Sequence, residues 1–254
     1  MPLDVSLRPI ALAYTFGMVL ILALLWYKGR ISRTLAAAVL VVSAVFGFLF
    51  ASIAPYQFQL ALLELTKGPG GTLVFTLIIL GLLLILTFIF GRIFCGSICP
   101  LGALQELAYL APVPKVKPRV RPGLYALRLV IFAGIIIAAL LFSVGVLAFL
   151  GVMDFFLLTF TAGFLVMLTL LVASLFFYRP FCRIICPFGA VLSLAAMRSL
   201  FKLRRNPSCI ECGKCEFTCP VDEAEREDLK GECYLCGRCT EVCPVKGAIT
   251  YRRG

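Results

Sequence analysis

Residues 209–220 read CIECGKCEFTCP, and residues 233–244 read CYLCGRCTEVCP. Both segments have the spacing C-x2-C-x2-C-x3-C-P, with a glycine at the same internal position. In this pattern three cysteines of a run ligate one [4Fe–4S] cluster, and the fourth ligates the other cluster. The spacing therefore predicts two clusters. The predicted ligands are Cys209, Cys212, Cys215 and Cys243 for the first cluster, and Cys233, Cys236, Cys239 and Cys219 for the second.

Other uses of these cysteines fit the sequence less well. Structural zinc also takes four thiolates, but usually from two separated C-x2-C pairs. The chain contains no histidine, which excludes histidine-ligated haem and histidine-based zinc sites within it. Electrons that move through this protein must therefore be carried by iron–sulfur clusters, quinones or flavins.

The composition indicates a membrane protein with a small polar appendix. Of the 254 residues, 61% are hydrophobic and 15% are charged, whereas soluble domains have about 45–50% and 25%. Residues 1–205 hold 17 of the 24 Lys and Arg residues but 4 of the 13 Asp and Glu residues. The positive charge lies in short loops between apolar segments, which is typical of membrane topology and not of a nucleic-acid-binding surface.

Five apolar segments of about 20 residues are each long enough to cross a bilayer as a helix. They are Ile10–Tyr27, Thr34–Ala54, Thr72–Phe94, Tyr125–Leu150 and Phe155–Tyr178. With the N-terminus outside, all the strongly basic loops fall on one side, as the positive-inside rule requires. We therefore expect a multi-pass protein of the cytoplasmic (inner) membrane with its C-terminal domain in the cytoplasm, where reduced thiols can ligate metal.

An internal repeat lies within the membrane part. Residues 89–103 (IFGRIFCGSICPLGA) match residues 176–190 (FFYRPFCRIICPFGA) at a constant offset of 87. Each copy ends a unit of two predicted spans, and the units are residues 34–110 and 125–203. Parallel repeats of this kind are related by an axis along the membrane normal. This symmetry predicts that the two copies meet at the cytoplasmic face.

Each copy carries a C-x3-C-P motif. Because proline disfavours helix in the residue before it and favours the first position of a new helix, Cys99 and Cys186 should be N-caps. We expect them to start short interfacial helices, Pro100–Leu110 and Pro187–Leu203. The four thiols are either buried small hydrophobic groups or an additional metal or thiol redox site. These cysteines are Cys95, Cys99, Cys182 and Cys186.

The predicted fold is therefore an all-α polytopic membrane domain with a small ferredoxin-like unit. Residues 1–205 form the membrane domain with about five transmembrane helices and an internal two-helix repeat. Residues 206–254 form an α+β unit like the bacterial ferredoxins that bind two [4Fe–4S] clusters.

The combination of two membrane C-x3-C-P motifs with a double C-x2-C-x2-C-x3-C-P run resembles the NapH/MauN-type membrane ferredoxin family. It also resembles the C-terminal polyferredoxin half of NosR. The resemblance covers roughly residues 34–250, while the first predicted span is additional to the pattern expected of NapH. It implies electron transfer between the quinone pool and redox partners, often together with other iron–sulfur or flavin subunits.

Two functions follow as hypotheses. The first is an electron-transfer subunit of a membrane oxidoreductase of the quinol dehydrogenase type, with a bound quinone and no catalysis by this chain alone. The second is an iron–sulfur accessory factor for assembly or redox sensing that uses the C-x3-C-P thiols. Expected partners are lipid, the quinone pool and other redox subunits of a multi-subunit complex, with no nucleic acid.

Overall fold

The computed structural model describes residues 8–50, 54–67, 71–116 and 121–253. The predicted membrane domain begins at residue 1 and its second span includes residues 51–53, both of which lie outside these ranges. The described chain is mainly helical. Its α-helices are α1 (Arg8–Tyr27), α2 (Arg33–Phe50), α3 (Ala54–Lys67), α4 (Gly71–Phe90), α5 (Pro100–Tyr109), α6 (Arg121–Phe142), α7 (Val146–Phe149), α8 (Val152–Phe156), α9 (Ala162–Ala173), α10 (Pro187–Met197), α11 (Lys214–Thr218) and α12 (Arg238–Glu241).

The 87-residue repeat is present in the secondary structure as well as in the amino-acid sequence. A π-helical turn spans Phe94–Ile98 before α5, and a second spans Phe181–Ile185 before α10, at that same offset. When α2 is shifted by 87 residues along the chain it overlaps the long helix α6, and α4 shifted in the same way contains α9. Turns of this rare type are frequent at functional sites, and here each contains the first cysteine of a C-x3-C-P motif.

The predicted caps are confirmed. Cys99 (φ −60°, ψ 120°) and Cys186 (φ −63°, ψ 112°) are the extended N-cap residues of α5 and α10, with proline at the first helical position. The second helix was predicted too long, because it ends at Met197 and Phe201–Arg205 forms strand β1. This strand pairs antiparallel with β2 (Ile249–Arg253), which ties the end of the bundle to the end of the chain.

The helix α5 does not lie flat on a membrane surface, which corrects the expectation of an interfacial helix. The start of α2 faces the C-terminal unit, where Arg33 pairs with Glu241. Gly47 lies further along α2, about 21 Å away at 1.5 Å per residue. A Cβ atom on Gly47 would clash with the Cβ of Pro100. The helix α5 therefore begins deep in the bundle and runs back along α2.

The helix α10 enters the bundle in the same way. The ring of Phe188, at its start, lies 5.7 Å from that of Phe58 in α3. Past its end, the backbone N–H of Leu200 donates to the carbonyl of Phe88 near the end of α4. Leu101 in α5 and Leu192 in α10 are fully buried, so burial against neighbouring helices stabilises both segments. The four motif cysteines consequently lie inside the bundle.

The predicted spans differ in how well the helices match them. Among the described residues, two helical segments are long and apolar enough to cross a membrane, Arg33–Phe50 and Leu73–Phe90. The helix α6 stops at Phe142, short of the predicted Leu150, and Ser143 has a positive φ of 52°. The helix α9 has 12 residues, about 18 Å, which is less than the roughly 30 Å of a hydrocarbon core.

The contact between α2 and α5 gives a first prediction. Gly47→Ala should lower the free energy of unfolding of the purified protein by about 1–3 kcal/mol. The added methyl group would clash with Pro100 and Phe156 and so overpack the core. The repeat supplies the control: Gly134 in α6 has the same repeat position and open space around it. Gly134→Ala should be neutral or slightly stabilising. Equal effects in thermal unfolding would contradict the buried position of α5.

Candidate functional site

The two cysteine runs fold into two separate cavities in the C-terminal unit. Gly213 (φ 70°) and Gly237 (φ 80°) each adopt the left-handed conformation directly before a short helix, which lets each loop close on itself. One cavity is lined by Cys209, Cys212, Cys215 and Cys243. The other is lined by Cys219, Cys233, Cys236 and Cys239. The fourth cysteine of each run thus lies with the three cysteines of the other run.

The chemistry of these thiols suits iron–sulfur clusters. Burial raises the pKa of the Cys239 thiol to about 12, and the neighbouring thiols of Cys236 and Cys219 add to the rise. Burial also raises the pKa of Cys233 well above its usual value. Such groups become thiolates at neutral pH when a cationic metal centre stabilises the charge. The residues therefore fit the cofactor.

A single metal ion fits less well. Zinc holds four thiolates at about 2.3 Å from one centre, so its ligands must lie close together. Within the described ranges, no three Cys, Asp or Glu side chains are close enough to share one ion. A cubane cluster gives each thiolate its own iron and therefore spreads its ligands more widely.

The two C-x3-C-P motifs meet inside the bundle. Cys95, Cys99, Cys182 and Cys186 are all buried. The thiols of Cys99, Cys182 and Cys186 interact electrostatically with one another and with Cys95 across the repeat boundary. The structure therefore brings together the four bundle cysteines, as the repeat symmetry predicts, but in the interior and not at the surface.

Two repeat-related arginines hold the motifs together. Arg179 of the second repeat donates through Nη1 to the carbonyl of Cys95 and through Nη2 to that of Gly96, in the first repeat. Arg92 of the first repeat donates through Nη2 to the carbonyl of Gly189, at 3.3 Å, in the second. Both guanidinium groups are at most 1% exposed. Each repeat thus anchors the other.

Carboxylates from elsewhere pair with these arginines. Glu232 of the C-terminal unit accepts hydrogen bonds from Arg92, at 2.8 Å, and from Arg128 of α6. Glu106 of α5 pairs with Arg179, at 2.8 Å, and with Arg238 beside the second cysteine run. Neither glutamate belongs to a motif that is recognisable in the sequence, and Arg128 lies outside the repeated motifs. One available signal was that Glu106 is among the few acidic residues of a strongly apolar segment.

Tyr234 lies where the bundle and the C-terminal unit meet. Its ring is flanked by the guanidinium carbons of Arg92 and Arg179, at 4.3 Å and 4.7 Å from the ring centroid. Its carbonyl oxygen lies against Gly96, between the two cysteines of the first motif. Tyr234 follows Cys233 in the second run. Tyr234 therefore contacts the first C-x3-C-P motif and also lines the second cysteine cavity.

A larger cavity opens between the bundle and the C-terminal unit. Apolar residues of α1 and α2 form one wall, and the other wall consists of Ser97 and the loop that carries Cys236 and Arg238. The apolar residues of this wall are Leu22, Trp26, Leu35, Ala36, Ala37, Val39 and Leu40. Cys236 also lines the second cysteine cavity. The large cavity thus reaches a predicted cluster ligand.

Comparison with known proteins supports this chemistry. A family described as a 4Fe-4S binding domain matches residues 72–119 and 159–206. Each stretch contains one C-x3-C-P motif, and neither reaches the double run. Uncharacterized protein MJ0750 of Methanocaldococcus jannaschii is 36% identical over 180 residues, which is 66% of this chain and 74% of that protein. No solved structure matches the chain.

Two other relatives have names that state a redox role. Putative electron transport protein YccM of Escherichia coli is 32% identical over 54% of this chain and 43% of its own length. Methylamine utilization ferredoxin-type protein MauN of Paracoccus denitrificans is 28% identical over 56% of this chain and 53% of its own length. Fold and site define an iron–sulfur protein in which a ferredoxin-like unit is docked on a repeated helical bundle. The chain belongs to the NapH/MauN-type membrane ferredoxin family.

The docking of the two parts can be tested through Glu232. Glu232→Gln removes the carboxylate shared by Arg92 and Arg128, and breaking a buried pair in this way typically costs about 3–5 kcal/mol. The variant should show a correspondingly lower free energy of unfolding in detergent. Glu227→Gln, on the exposed surface of the same unit, is the matched control. Equal stability of the two variants would mean that the buried ion pairs do not hold the unit in place.

Proposed function

We propose that this protein is a membrane-bound iron–sulfur electron-transfer subunit that passes electrons between the quinone pool and redox partner proteins. An electron-transfer role agrees with the names of its relatives and with the 4Fe-4S family match. The observation that carries the quinone part is the position of Cys236. This residue lies in the wall of a four-cysteine cavity and in the wall of the large cavity beside α1 and α2.

The two runs hold the two [4Fe–4S] clusters in crossed fashion. Cys209, Cys212, Cys215 and Cys243 hold one, and Cys219, Cys233, Cys236 and Cys239 hold the other. When bound, such clusters supply one-electron carriers. Cys215 of one set interacts electrostatically with Cys239 of the other, so the two sets lie near each other in the C-terminal unit.

The large cavity suits an amphipathic substrate with an apolar tail and a polar ring. Its apolar wall comes from α1 and α2, which would face lipid, while Ser97 and Arg238 provide hydrogen-bond donors at the other end. Pockets for organic molecules usually combine an apolar lining with a few polar groups that fix orientation. A quinone or quinol has this shape and polarity. Oxidation of a quinol releases two electrons, which the two clusters would take one at a time through the one at Cys236, and two protons, which would pass by way of Glu241 at the cavity to solvent.

Topology supports a place at the inner membrane surface. The basic start of α2 faces the C-terminal unit through the Arg33–Glu241 pair, and basic loops remain on the cytoplasmic side. We therefore retain a multi-pass arrangement with the N-terminus outside and the ferredoxin-like unit in the cytoplasm. Cys212 of the first run is exposed. Electrons would leave the first cluster at this position and pass to an iron–sulfur or flavin subunit of a larger complex.

The accessory-factor alternative receives less support. Thiol–disulfide exchange with another protein requires that the attacking thiol be accessible. All four C-x3-C-P thiols are buried, and buried arginines surround them. This arrangement favours a resident redox or metal role.

Paired substitutions test the crossed ligation. The double variant Cys219→Ala/Cys233→Ala alters one cluster site if ligation is crossed, so the purified protein should lose about four iron atoms. Cys209→Ala/Cys219→Ala alters both sites and should lose about eight. Iron analysis and electron paramagnetic resonance of the reduced protein distinguish the cases. The reverse order of losses would show that each run ligates its own cluster.

Filling the large cavity tests the quinone site. Ala36→Phe places a ring in the space between α2 and the Cys236 loop, and we expect the rate of cluster reduction by a short-chain quinol to fall about tenfold, since the headgroup needs that space. Val45→Phe, at an exposed position of the same helix, is the control. The reduced-cluster spectrum should be unchanged in both variants. Cluster reduction at the wild-type rate in Ala36→Phe would show that the quinol does not bind in this cavity.

A further inference from the structure

We infer that Cys95, Cys99, Cys182 and Cys186 together hold a third [4Fe–4S] cluster on the axis that relates the two repeats. Each repeat supplies two ligands, so one cluster binds across the repeat boundary. The inference deepens the proposed electron-transfer function, and the redox role of the third cluster rests on that function. It does not depend on the quinone cavity, because metal content can be measured without any quinol.

The four bundle thiols interact with one another in the same way as the four thiols that line the second cysteine cavity. Cys99, Cys182 and Cys186 are buried and interact electrostatically with each other and with Cys95. The thiols of Cys219, Cys233, Cys236 and Cys239 interact in the same way around their cavity. Neither set is close enough to share a single ion. The bundle thiols share this property with the thiols that line the second cysteine cavity.

Buried charge at this site calls for an anionic centre. Three buried guanidinium groups, those of Arg92, Arg128 and Arg179, interact electrostatically with these thiols, and they pair with two carboxylates, those of Glu106 and Glu232. One positive charge remains without a matching carboxylate, and Glu106 is also shared with Arg238 beside the second cysteine run. Uncompensated buried charge is costly. An oxidised [4Fe–4S] core with four thiolates carries about two net negative charges, which would offset this excess.

Hydrogen-bond donors also converge on the four cysteines. The amide Nε2 of Gln105 donates to the sulfur of Cys182 at 3.3 Å, and the backbone N–H of Gly189 donates to that of Cys186 at 3.2 Å. In the second repeat, Arg92 Nη2 donates to the carbonyl of Gly189 and Arg128 Nη2 donates to that of Cys182. Among the described residues, the Nε atoms of these two arginines are buried without an acceptor. Cluster sulfides accept such hydrogen bonds, which tune the reduction potential.

The position of Tyr234 gives this site a redox role. Tyr234 contacts Gly96 within the first motif and follows Cys233, a ligand of the second run. Its ring lies between Arg92 and Arg179, which bind the two motifs. A cluster at the bundle cysteines would thus adjoin the cluster at Cys233 and Cys236. The path for electrons then extends from the C-terminal unit into the interior of the bundle.

Iron and acid-labile sulfide analysis of the intact protein, purified anaerobically in detergent, tests the inference. We expect about twelve iron atoms per chain, and about eight in the variant with Cys95, Cys99, Cys182 and Cys186 all changed to Ala. About eight in the wild type would overturn the inference, as would zinc in place of the missing iron. About ten would overturn the [4Fe–4S] assignment in favour of [2Fe–2S]. The wild-type count decides even if the variant does not fold.

A milder variant separates a cluster from merely packed thiols. Gln105 occupies the repeat position of Leu192, so Gln105→Leu restores the repeat residue. It removes the hydrogen bond to the sulfur of Cys182 and the one that Gln105 Oε1 accepts from the backbone N–H of Phe181. In a potentiometric titration followed by electron paramagnetic resonance, one signal should move to lower potential and the other two should not move. Three unmoved signals, or two signals in total, would contradict a cluster that Cys182 ligates.

Discussion

The structure depends on two buried arginines that reach across an internal symmetry. Arg92 and Arg179 occupy the same position in the two repeats. Arg179 donates to the carbonyls of Cys95 and Gly96 in the first C-x3-C-P motif, and Arg92 donates to the carbonyl of Gly189, which follows the second motif. Removing a guanidinium group from water costs several kcal/mol unless it is paired. The protein offsets this cost with Glu232 and Glu106. The same bonds fix the two motifs against each other.

One segment of the C-terminal unit connects all the candidate redox groups. Residues 232–238 contribute Glu232 to the arginines, Tyr234 to the interface, Cys233 and Cys236 to a four-cysteine cavity, and Arg238 to Glu106. The ferredoxin-like unit is therefore docked through its second run, while Cys212 of the first run is exposed. This asymmetry gives the unit an inner end, at the bundle, and an outer end that another protein can reach.

Local features could be predicted from the sequence, whereas partners across the fold could not. Cys99 and Cys186 were predicted as N-caps because proline restricts its neighbour, a constraint that acts within two residues. The expectation that α5 lies at the membrane interface was wrong, because α5 is buried against α2. An apolar ten-residue helix fits both a lipid surface and a bundle interior, and the contact between Pro100 and Gly47 decides between them.

The arginine partners show the same limit. Arg92 and Arg179 could be recognised as a repeated pair, but Glu232 lies some 140 residues from Arg92. Nothing in the local pattern of the C-terminal unit sets Glu232 apart from the acidic residues around it. The two-run spacing, by contrast, predicted which cysteines line each cavity, because in this pattern the fourth cysteine of each run ligates the other cluster.

The central claim is that the repeated bundle is itself a redox site joined to the ferredoxin-like unit. An electron cryo-microscopy map of the intact protein, prepared without oxygen, tests it most directly. The account predicts three compact cluster densities, with the third between Cys95, Cys99, Cys182 and Cys186 next to Tyr234. Two densities in the C-terminal unit and four separate thiols in the bundle would contradict it.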